Sequence, residues 1–349
     1  MMHNSRFTIK NRLLTKHIVL PMAIGNALCI LFFSFTGCNR SPKESQTPTA
    51  TKAPTVVVPV FNADSAYDFI KAQCDFGPRV PNTKQHDACA EYLIRKMSSY
   101  GDTVLVQKGQ VTTFNNIKLN IQNIICQFNP GTQNRILLFA HWDTRPWADQ
   151  DTVRKDEPII GADDAGSGVG VLMEVARILS KEKITTGVDI VFFDAEDYGT
   201  RREDGSDNDS YALGTQYWCK NPLPENYTAN YGILLDMVGA RNATFQIEGY
   251  SKQYASFVVD KVWGAANRIG FSSYFLYADG GFITDDHVYP NQILNIPSID
   301  IINTNPANPR SGFPAHWHTH RDNMDVIDKK TLQATGQTLL EVLFNQPGT

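Results

Sequence analysis

At the centre of the sequence stands the run Val188-Asp-Ile-Val-Phe-Phe-Asp-Ala-Glu196-Asp197, an apolar segment that ends in two adjacent carboxylates. Its β-branched and aromatic residues predict a buried strand. A carboxylate at the end of a buried strand is costly unless it finds a partner or a metal ion. The run therefore predicts a strand that delivers acids to a functional site.

The same pattern recurs along the chain. One apolar segment, 135–141, ends in His141-Trp-Asp143, and another, 231–236, ends in Asp236. A third, 298–303, leads toward Trp317-His318. In open α/β sheets, ligands bind beyond the carboxyl ends of the strands. Four strands that end in or near His, Asp and Glu thus indicate a metal site at one edge of a sheet.

Helix-like and strand-like segments alternate after residue 56. The helical patterns lie near residues 64–71, 86–100, 169–179 (opened by the glycine-rich turn 161–168), 211–219, 253–269 and 329–343, and the strand patterns near 102–107, 117–127, 135–141, 188–194, 231–236 and 298–302. This alternation predicts an α/β fold with three layers, in which a central mixed, mostly parallel sheet carries helices on both faces. No linker interrupts residues 56–349, so we expect one domain there.

The N-terminus reads as a targeting segment. A basic region, Arg6 to Lys16, precedes the apolar stretch 17–35, and Thr36-Gly37-Cys38 follows. The pattern is typical of a signal peptide, and a cysteine at this place resembles a bacterial lipoprotein signal over residues 1–38, with Cys38 as the lipidated first residue. Residues 39–55 are rich in Ser, Pro, Thr and Lys and predict a flexible tether. An ordinary signal peptide or a single membrane anchor is the alternative.

A lipid anchor attaches a protein to a membrane without a spanning segment. We therefore expect an exported bacterial lipoprotein that faces the periplasm. Asn39 stands where inner-membrane lipoproteins carry Asp, which favours the outer membrane.

Composition excludes one class of partner. The chain of 349 residues has a formal net charge of -4, so no basic face for nucleic acid is indicated.

Four cysteines lie beyond Cys38, and their pairing stays open. Cys74 and Cys89 could bridge neighbouring helices, or all four, including Cys126 and Cys219, could stay unpaired. No Cys-x-x-Cys pattern is present.

Five side chains have the ligand chemistry of zinc, which binds imidazole nitrogen and carboxylate oxygen. They are His141, Asp164, Asp197, Asp236 and His318. Each alone has an ordinary structural explanation, such as a cap or a buried hydrogen bond. Five of them at strand ends, beside the glycine-rich turn 161–168, are better explained by a metal site.

Several motifs, taken in order, resemble those of the zinc aminopeptidase-like (M28-type) superfamily. They are His141-Trp-Asp143, Gly161-Ala-Asp-Asp164-Ala-Gly-Ser-Gly168, Phe193-Asp-Ala-Glu196-Asp197, Leu235-Asp236 and Trp317-His318-Thr-His-Arg-Asp322. Within it, the segments 234–245, Asp285-Asp286-His287 and 313–319 are similar to the animal-type glutaminyl-peptide cyclotransferases and their bacterial members. The resemblance covers about residues 64–345.

This resemblance implies a role for each matching residue. Asp164, Asp197 and His318 would bind one zinc ion, and Glu196 would act as general base and acid. Asp236 and Asp285 would belong to the surrounding hydrogen-bond network, while Trp317 and Phe313 would wall the substrate pocket. Asp143 would orient its neighbours, and His316 and His320 would be loop residues.

The chain departs from the family pattern at two places. Glu196-Asp197 stands where Glu-Glu is usual, so the ligand is one methylene shorter. Asp163-Asp164 stands where Asn-Asp is usual, which leaves open which aspartate binds the metal, although position favours Asp164.

The implied activity is conversion of an N-terminal glutamine of peptides or proteins to pyroglutamate. Two alternatives remain at this stage. A two-zinc aminopeptidase would use His141 and Asp236 for one ion, Asp197 and His318 for the other, and Asp164 as the bridge. A non-catalytic peptide-binding module is the second, against which the intact Glu196 argues.

Overall fold

The computed structural model describes residues 57–182, 184–201, 208–308 and 311–345. The predicted signal, residues 1–38, the predicted tether, residues 39–55, and Cys38 lie outside the described residues. Within the part that is described, no helix is long and apolar enough to cross a membrane.

A six-stranded sheet forms the middle layer. Its strands are β1 (Thr103–Thr112), β2 (Lys118–Phe128), β3 (Arg135–His141), β4 (Gly187–Phe193), β5 (Tyr231–Asp236) and β8 (Ser298–Ile302), and two short strands, β6 (Phe245–Ile247) and β7 (Phe275–Asp279), pair separately. The order across the large sheet is β1-β2-β4-β3-β5-β8. Strands β4, β3, β5 and β8 run parallel, whereas β1 and β2 are antiparallel additions at one edge.

Helices cover both faces of this sheet. They are α1 (Ala63–Cys74), α2 (Lys84–Ser98), α3 (Gly166–Leu179), α4 (Leu213–Lys220), α5 (Gly249–Arg268) and α6 (Lys329–Phe344). Successive residues of a strand point to opposite faces, so in β3 Leu138 packs in the core with α1, α3 and α6 while Phe139 packs with Trp218 of α4. The predicted three-layer α/β fold with a mixed, mostly parallel sheet is confirmed.

Local differences from the prediction have physical causes. Strand β1 continues to Thr112, five residues beyond the predicted end, because an edge strand can carry polar residues such as Lys108 and Gln110 that give no apolar pattern. Helix α5 begins at Gly249 and not near residue 253, since the buried Glu248 side chain accepts hydrogen bonds from the backbone N–H groups of Tyr250 and Ser251. All four described cysteines are free, which rules out a Cys74–Cys89 bridge.

Close packing of α3 on the sheet depends on a glycine. A Cβ atom at Gly168 would collide with the carbonyl oxygen of Leu235 in β5. The absence of a side chain lets the start of α3 approach the carboxyl end of β5 directly. This approach brings the turn before α3, which carries Asp164, to the end of the sheet.

Two mid-helix glycines provide a matched test of packing. A Cβ atom at Gly336 in α6 would overlap the buried ring of Phe61, whereas at Gly264 in α5 the nearest atom is Arg268 Nη1 at 3.6 Å. We expect Gly336→Ala to lower the free energy of unfolding by about 1–3 kcal/mol through overpacking. We expect Gly264→Ala to raise it by up to about 1 kcal/mol, because alanine favours helix. Urea denaturation of both variants checks this, and equal shifts would contradict it.

Candidate active site

The parallel strands β3, β4 and β5 end side by side. His141 is the last residue of β3 and pairs in register with Phe193, the last of β4, so Glu196 and Asp197 follow close by. Asp236 is the last residue of β5. The structure therefore brings the predicted strand-end residues to one edge of the sheet.

Two overlapping groups of potential metal ligands lie at this edge. Asp164, Asp197 and His318 form one, and His141, Asp164 and Asp236 form the other; in each group the ligand atoms lie within 4.8 Å of one another and the residues are buried. In the first, His318 Nε2 is 3.3 Å from Asp197 Oδ1 and 3.7 Å from Asp164 Oδ2. In the second, His141 Nε2 is 3.0 Å from Asp164 Oδ1 and 3.4 Å from Asp236 Oδ1.

The donor atoms of these groups fit a zinc ion. Imidazole nitrogen and carboxylate oxygen are its usual protein ligands, and three of them leave a position for substrate. Within the described residues, Asp197 Oδ2 and Asp236 Oδ1 are buried without a hydrogen-bond partner. A buried carboxylate oxygen that accepts no hydrogen bond is costly, and a bound cation would compensate it.

Two further aspartates hold the backbone of the ligand loops. Asp143 accepts hydrogen bonds from the N–H groups of Glu196 at 3.0 Å and Asp197 at 3.2 Å. Asp322 accepts from the N–H groups of Asp163 at 2.7 Å and Asp164 at 3.1 Å. These carboxylates therefore orient the candidate ligands and do not belong to either group.

Asp163 is occupied by other contacts. Its Oδ1 accepts from the N–H of Gly239 at 2.8 Å, and its Oδ2 lies 2.8 Å from His316 Nε2. Asp164 is the one that enters both ligand groups. The expectation of His316 and His320 as loop residues understated their contacts, because His320 Nδ1 also lies 3.0 Å from Asp151 Oδ2.

Backbone conformation at this edge is strained. Ala195, Met237 and His318 have φ values of 53°, 49° and 53°. Non-glycine residues in this left-handed region cost roughly 1–3 kcal/mol each and cluster at functional sites. Here they lie just before Glu196, just after Asp236 and at His318 itself, where the chain must turn sharply to point its side chains to one place.

Glu196 lies among other acids. Burial raises the pKa of Glu196 well above its ordinary value; the positive charge of His141 opposes this, and the charges of Asp285 and Asp197 raise it further. Burial also raises the pKa values of Asp236 and Asp285. A buried carboxyl group with a raised pKa binds a proton more readily than an exposed one, which suits a group that acts as general base and acid.

A pocket of about 500 Å³ opens above these residues. Trp317 and Phe313 form part of its wall, with ring centroids 4.6 Å apart, and Trp317 stacks on the His318 ring at 3.6 Å. Tyr211 and Phe282 line it as well. The predicted wall residues thus lie beside the candidate metal ligands.

Sequence reasoning missed several supporting residues. Arg145 and Asp149, four positions apart in the loop after β3, make an ion pair beside Asp197 and His318. Both lie in the polar stretch 144–158, which has neither a helix nor a strand pattern. The spacing of four was the one available signal, and it does not show which residues the pair contacts.

Glu248 holds the segment that carries Asp285. Its carboxylate accepts from the N–H of Ile283 at 3.0 Å and lies 2.9 Å from His287 Nε2, in addition to capping α5. The pocket residues Ile283 and Asp285 are thereby tied to the start of a helix. Burial alone would raise the pKa of Glu248, but the hydrogen bond and charge of His287 lower it to about 2.

Several known proteins are similar to this chain. Residues 123–343 match peptidase family M28. The structure of glutaminyl cyclase from Tannerella forsythia is 52% identical, with a TM-score of 0.80, and the match covers 82% of this chain and 100% of that one. A Zn-dependent exopeptidase from Parabacteroides distasonis is 51% identical, with a TM-score of 0.80 and coverage of 83% and 100%. Glutaminyl-peptide cyclotransferase of Drosophila melanogaster is 24% identical over 277 residues, 73% of each chain.

The lowered pKa of Glu248 predicts a pH-dependent stability. Because the folded pKa lies below the ordinary value of 4.5, the ionised carboxylate stabilises the fold above about pH 4.5, and this contribution is lost as the pH falls toward 2. Glu248→Gln should lower the free energy of unfolding by about 3 kcal/mol at pH 7, with a difference that shrinks below pH 4.5. Denaturation at several pH values measures this. The exposed Glu91→Gln is the control, and a pH-independent difference for Glu248→Gln would contradict the assignment.

Proposed function

Since the chain belongs to peptidase family M28 and, within it, to the glutaminyl cyclases, we propose that it is a glutaminyl-peptide cyclotransferase. It converts the N-terminal glutamine of peptides and proteins to pyroglutamate and releases ammonia. The observation that carries this proposal is the match to the whole length of the Tannerella forsythia glutaminyl cyclase at 52% identity. The buried acid Glu196 beside a ligand group, in an aromatic-walled pocket, supplies the chemistry.

Asp164, Asp197 and His318 would hold one zinc ion per chain. When bound, zinc supplies Lewis-acid polarisation of the side-chain carbonyl of the substrate glutamine. Asp143 and Asp322 keep the ligand loops in place through backbone hydrogen bonds.

The remaining chemistry belongs to the chain and the substrate. The free α-amine of the glutamine attacks its own side-chain amide carbon, so a C–N bond forms, the bond to the amide nitrogen breaks and ammonia leaves. Glu196 takes a proton from the attacking amine and delivers it to the departing nitrogen. Asp236 and Asp285 surround this proton transfer with groups that can share hydrogen bonds.

The aromatic walls of the pocket assist the reaction because they exclude water. Because the reacting groups share one residue, ring closure has a high effective molarity once the side chain is oriented. Trp317 and Phe313 cover that side of the pocket and limit access of water, which would otherwise hydrolyse the amide.

A second candidate function is a two-metal aminopeptidase. The group His141, Asp164 and Asp236 would hold a second ion beside the first, and Glu196 would then activate water. The similar structure of a Zn-dependent exopeptidase from Parabacteroides distasonis also favours a hydrolytic reaction. Metal stoichiometry bears on this question, but the identity of the product decides it.

Product analysis distinguishes the two functions. With the full chain in detergent and a peptide that begins with Gln, we expect a mass decrease of one ammonia, abolished by a zinc chelator. Glu196→Gln should lower kcat by about 10²–10⁴-fold, since it removes the proton carrier. Zinc binding of that variant serves as the control. Release of free glutamine with a peptide shortened by one residue would instead establish an aminopeptidase.

The N-terminal segment supports a proposed location. We place the protein as a lipoprotein anchored through Cys38 in the outer membrane, with residues 39–55 as the tether to a single catalytic domain, 56–349. Its substrates would then be exported proteins whose signal cleavage exposes Gln, or imported peptides.

Two cysteine variants test this location. Cys38→Ser should abolish incorporation of labelled fatty acid, because it removes the thiol that carries the lipid. Cys29→Ser, in the apolar stretch of the signal, should leave this labelling unchanged. Fatty-acid labelling that persists in Cys38→Ser would refute lipidation at this residue.

A further inference from the structure

Arg145 is buried beside the candidate ligands without belonging to them. Its side chain is 1% exposed. Nε and Nη2 donate to the two carboxylate oxygens of Asp149 at 2.7 and 3.0 Å. Nη1 donates to Asp197 twice, at 3.1 Å to the backbone carbonyl and at 3.1 Å to Oδ1. One guanidinium thus joins a predicted metal ligand to a second carboxylate.

Asp149 links Arg145 to His318, another predicted ligand of the metal ion. Its Oδ1 lies 3.5 Å from Nδ1 of His318, a distance within ion-pair range although the two atoms do not meet the geometry of a hydrogen bond. The imidazole is then oriented with Nε2 toward Asp197 and Asp164. A carboxylate on the second ring nitrogen is a common device that sets the orientation of a metal-binding histidine.

These contacts leave one carboxylate oxygen of Asp197 available to bind a metal ion. Its N–H donates to Asp143, and its carbonyl and Oδ1 accept from Arg145. Oδ2 is buried and has no hydrogen-bond partner within the described residues. Because backbone and side chain are both held, the carboxylate cannot easily turn Oδ2 away.

We propose that Arg145 is a positioning residue that fixes Asp197 and, through Asp149, His318, and thereby sets the affinity of the Asp164–Asp197–His318 group for its metal ion. The inference rests on the zinc site of the proposed function. The aromatic rings of Trp147 and Tyr211 lie 5.4 and 5.6 Å from the guanidinium carbon and help to hold its plane.

A positioning role and a purely electrostatic role of Arg145 predict opposite effects of its removal on the affinity for a metal ion. Asp149 offsets the positive charge of Arg145, so the pair adds little net charge to the site. If Arg145 mattered only as a cation, its removal would strengthen binding of a divalent cation. If it positions the ligands, its removal weakens binding. Lysine keeps the charge but lacks the planar fork that reaches Asp149 and Asp197 together.

The same contacts single out one of the two ligand groups. Arg145 and Asp149 contact Asp197 and His318, whereas His141 faces Asp143, with its Nδ1 3.4 Å from Asp143 Oδ1. The two hydrogen bonds from Arg145 to Asp197 also suit an aspartate, which is one methylene shorter than a glutamate at this position. An aspartate keeps Oδ1 near its own carbonyl, where a single nitrogen of Arg145 can bind both.

The test measures zinc affinity of the full-length protein in detergent by competition with a chromophoric chelator. Arg145→Lys and Arg145→Met should each weaken zinc binding by about 10–100-fold. Arg154→Lys, the same change at an exposed arginine in the same loop, should leave it unchanged. Wild-type affinity in Arg145→Lys, or tighter binding in Arg145→Met, would overturn the inference.

A milder variant guards against loss of folding. Asp149→Asn preserves shape but removes the charge that faces His318 and Arg145, and it should weaken zinc binding several-fold while thermal unfolding of the metal-free protein stays cooperative. Should the Arg145 variants fail to fold, unchanged affinity in Asp149→Asn would refute the inference. If wild type binds zinc but does not cyclise Gln, the proposed function fails while these affinity shifts still decide the role of Arg145. If wild type binds no zinc, both fail.

Discussion

The dominant constraint on this fold is the burial of many carboxylates at one edge of a sheet. Parallel strands bring their carboxyl ends together, and β3, β4 and β5 each end in or just before an acid or a histidine. Isolated buried charges are not tolerated, so each must be protonated, hydrogen-bonded or paired with a cation. The surrounding loops are arranged around this requirement.

The acids meet the requirement in three different ways. Asp143 and Asp322 accept backbone hydrogen bonds and fasten the loops that carry Glu196 and Asp164. Glu196 has a raised pKa and can hold a proton. Asp164 and Asp197 turn toward histidine nitrogens in a group that fits a metal ion. Carboxyl groups thus anchor loops, carry a proton or bind a metal ion, according to their neighbours.

Much of this arrangement could be predicted from the sequence because its signals are local. An apolar strand followed by acids is visible within ten residues, and the alternation of helix and strand gave the layers. The start of α5 was harder to predict from the sequence, since Glu248 is not one of the usual capping residues. Arg145 and Asp149 were missed for another reason: in a polar loop, sequence does not reveal whether a charged side chain meets water or a buried ligand some fifty residues away.

Asp164 belongs to both ligand groups, and this has an evolutionary consequence. A scaffold in which one carboxylate serves two overlapping sites can change its metal stoichiometry without moving a strand. Altering a single partner, such as His141 or Asp236 on one side, would disable one site and spare the other. Hydrolases and cyclising transferases could therefore diverge from a common ancestor through a few side-chain changes, with the backbone inherited intact.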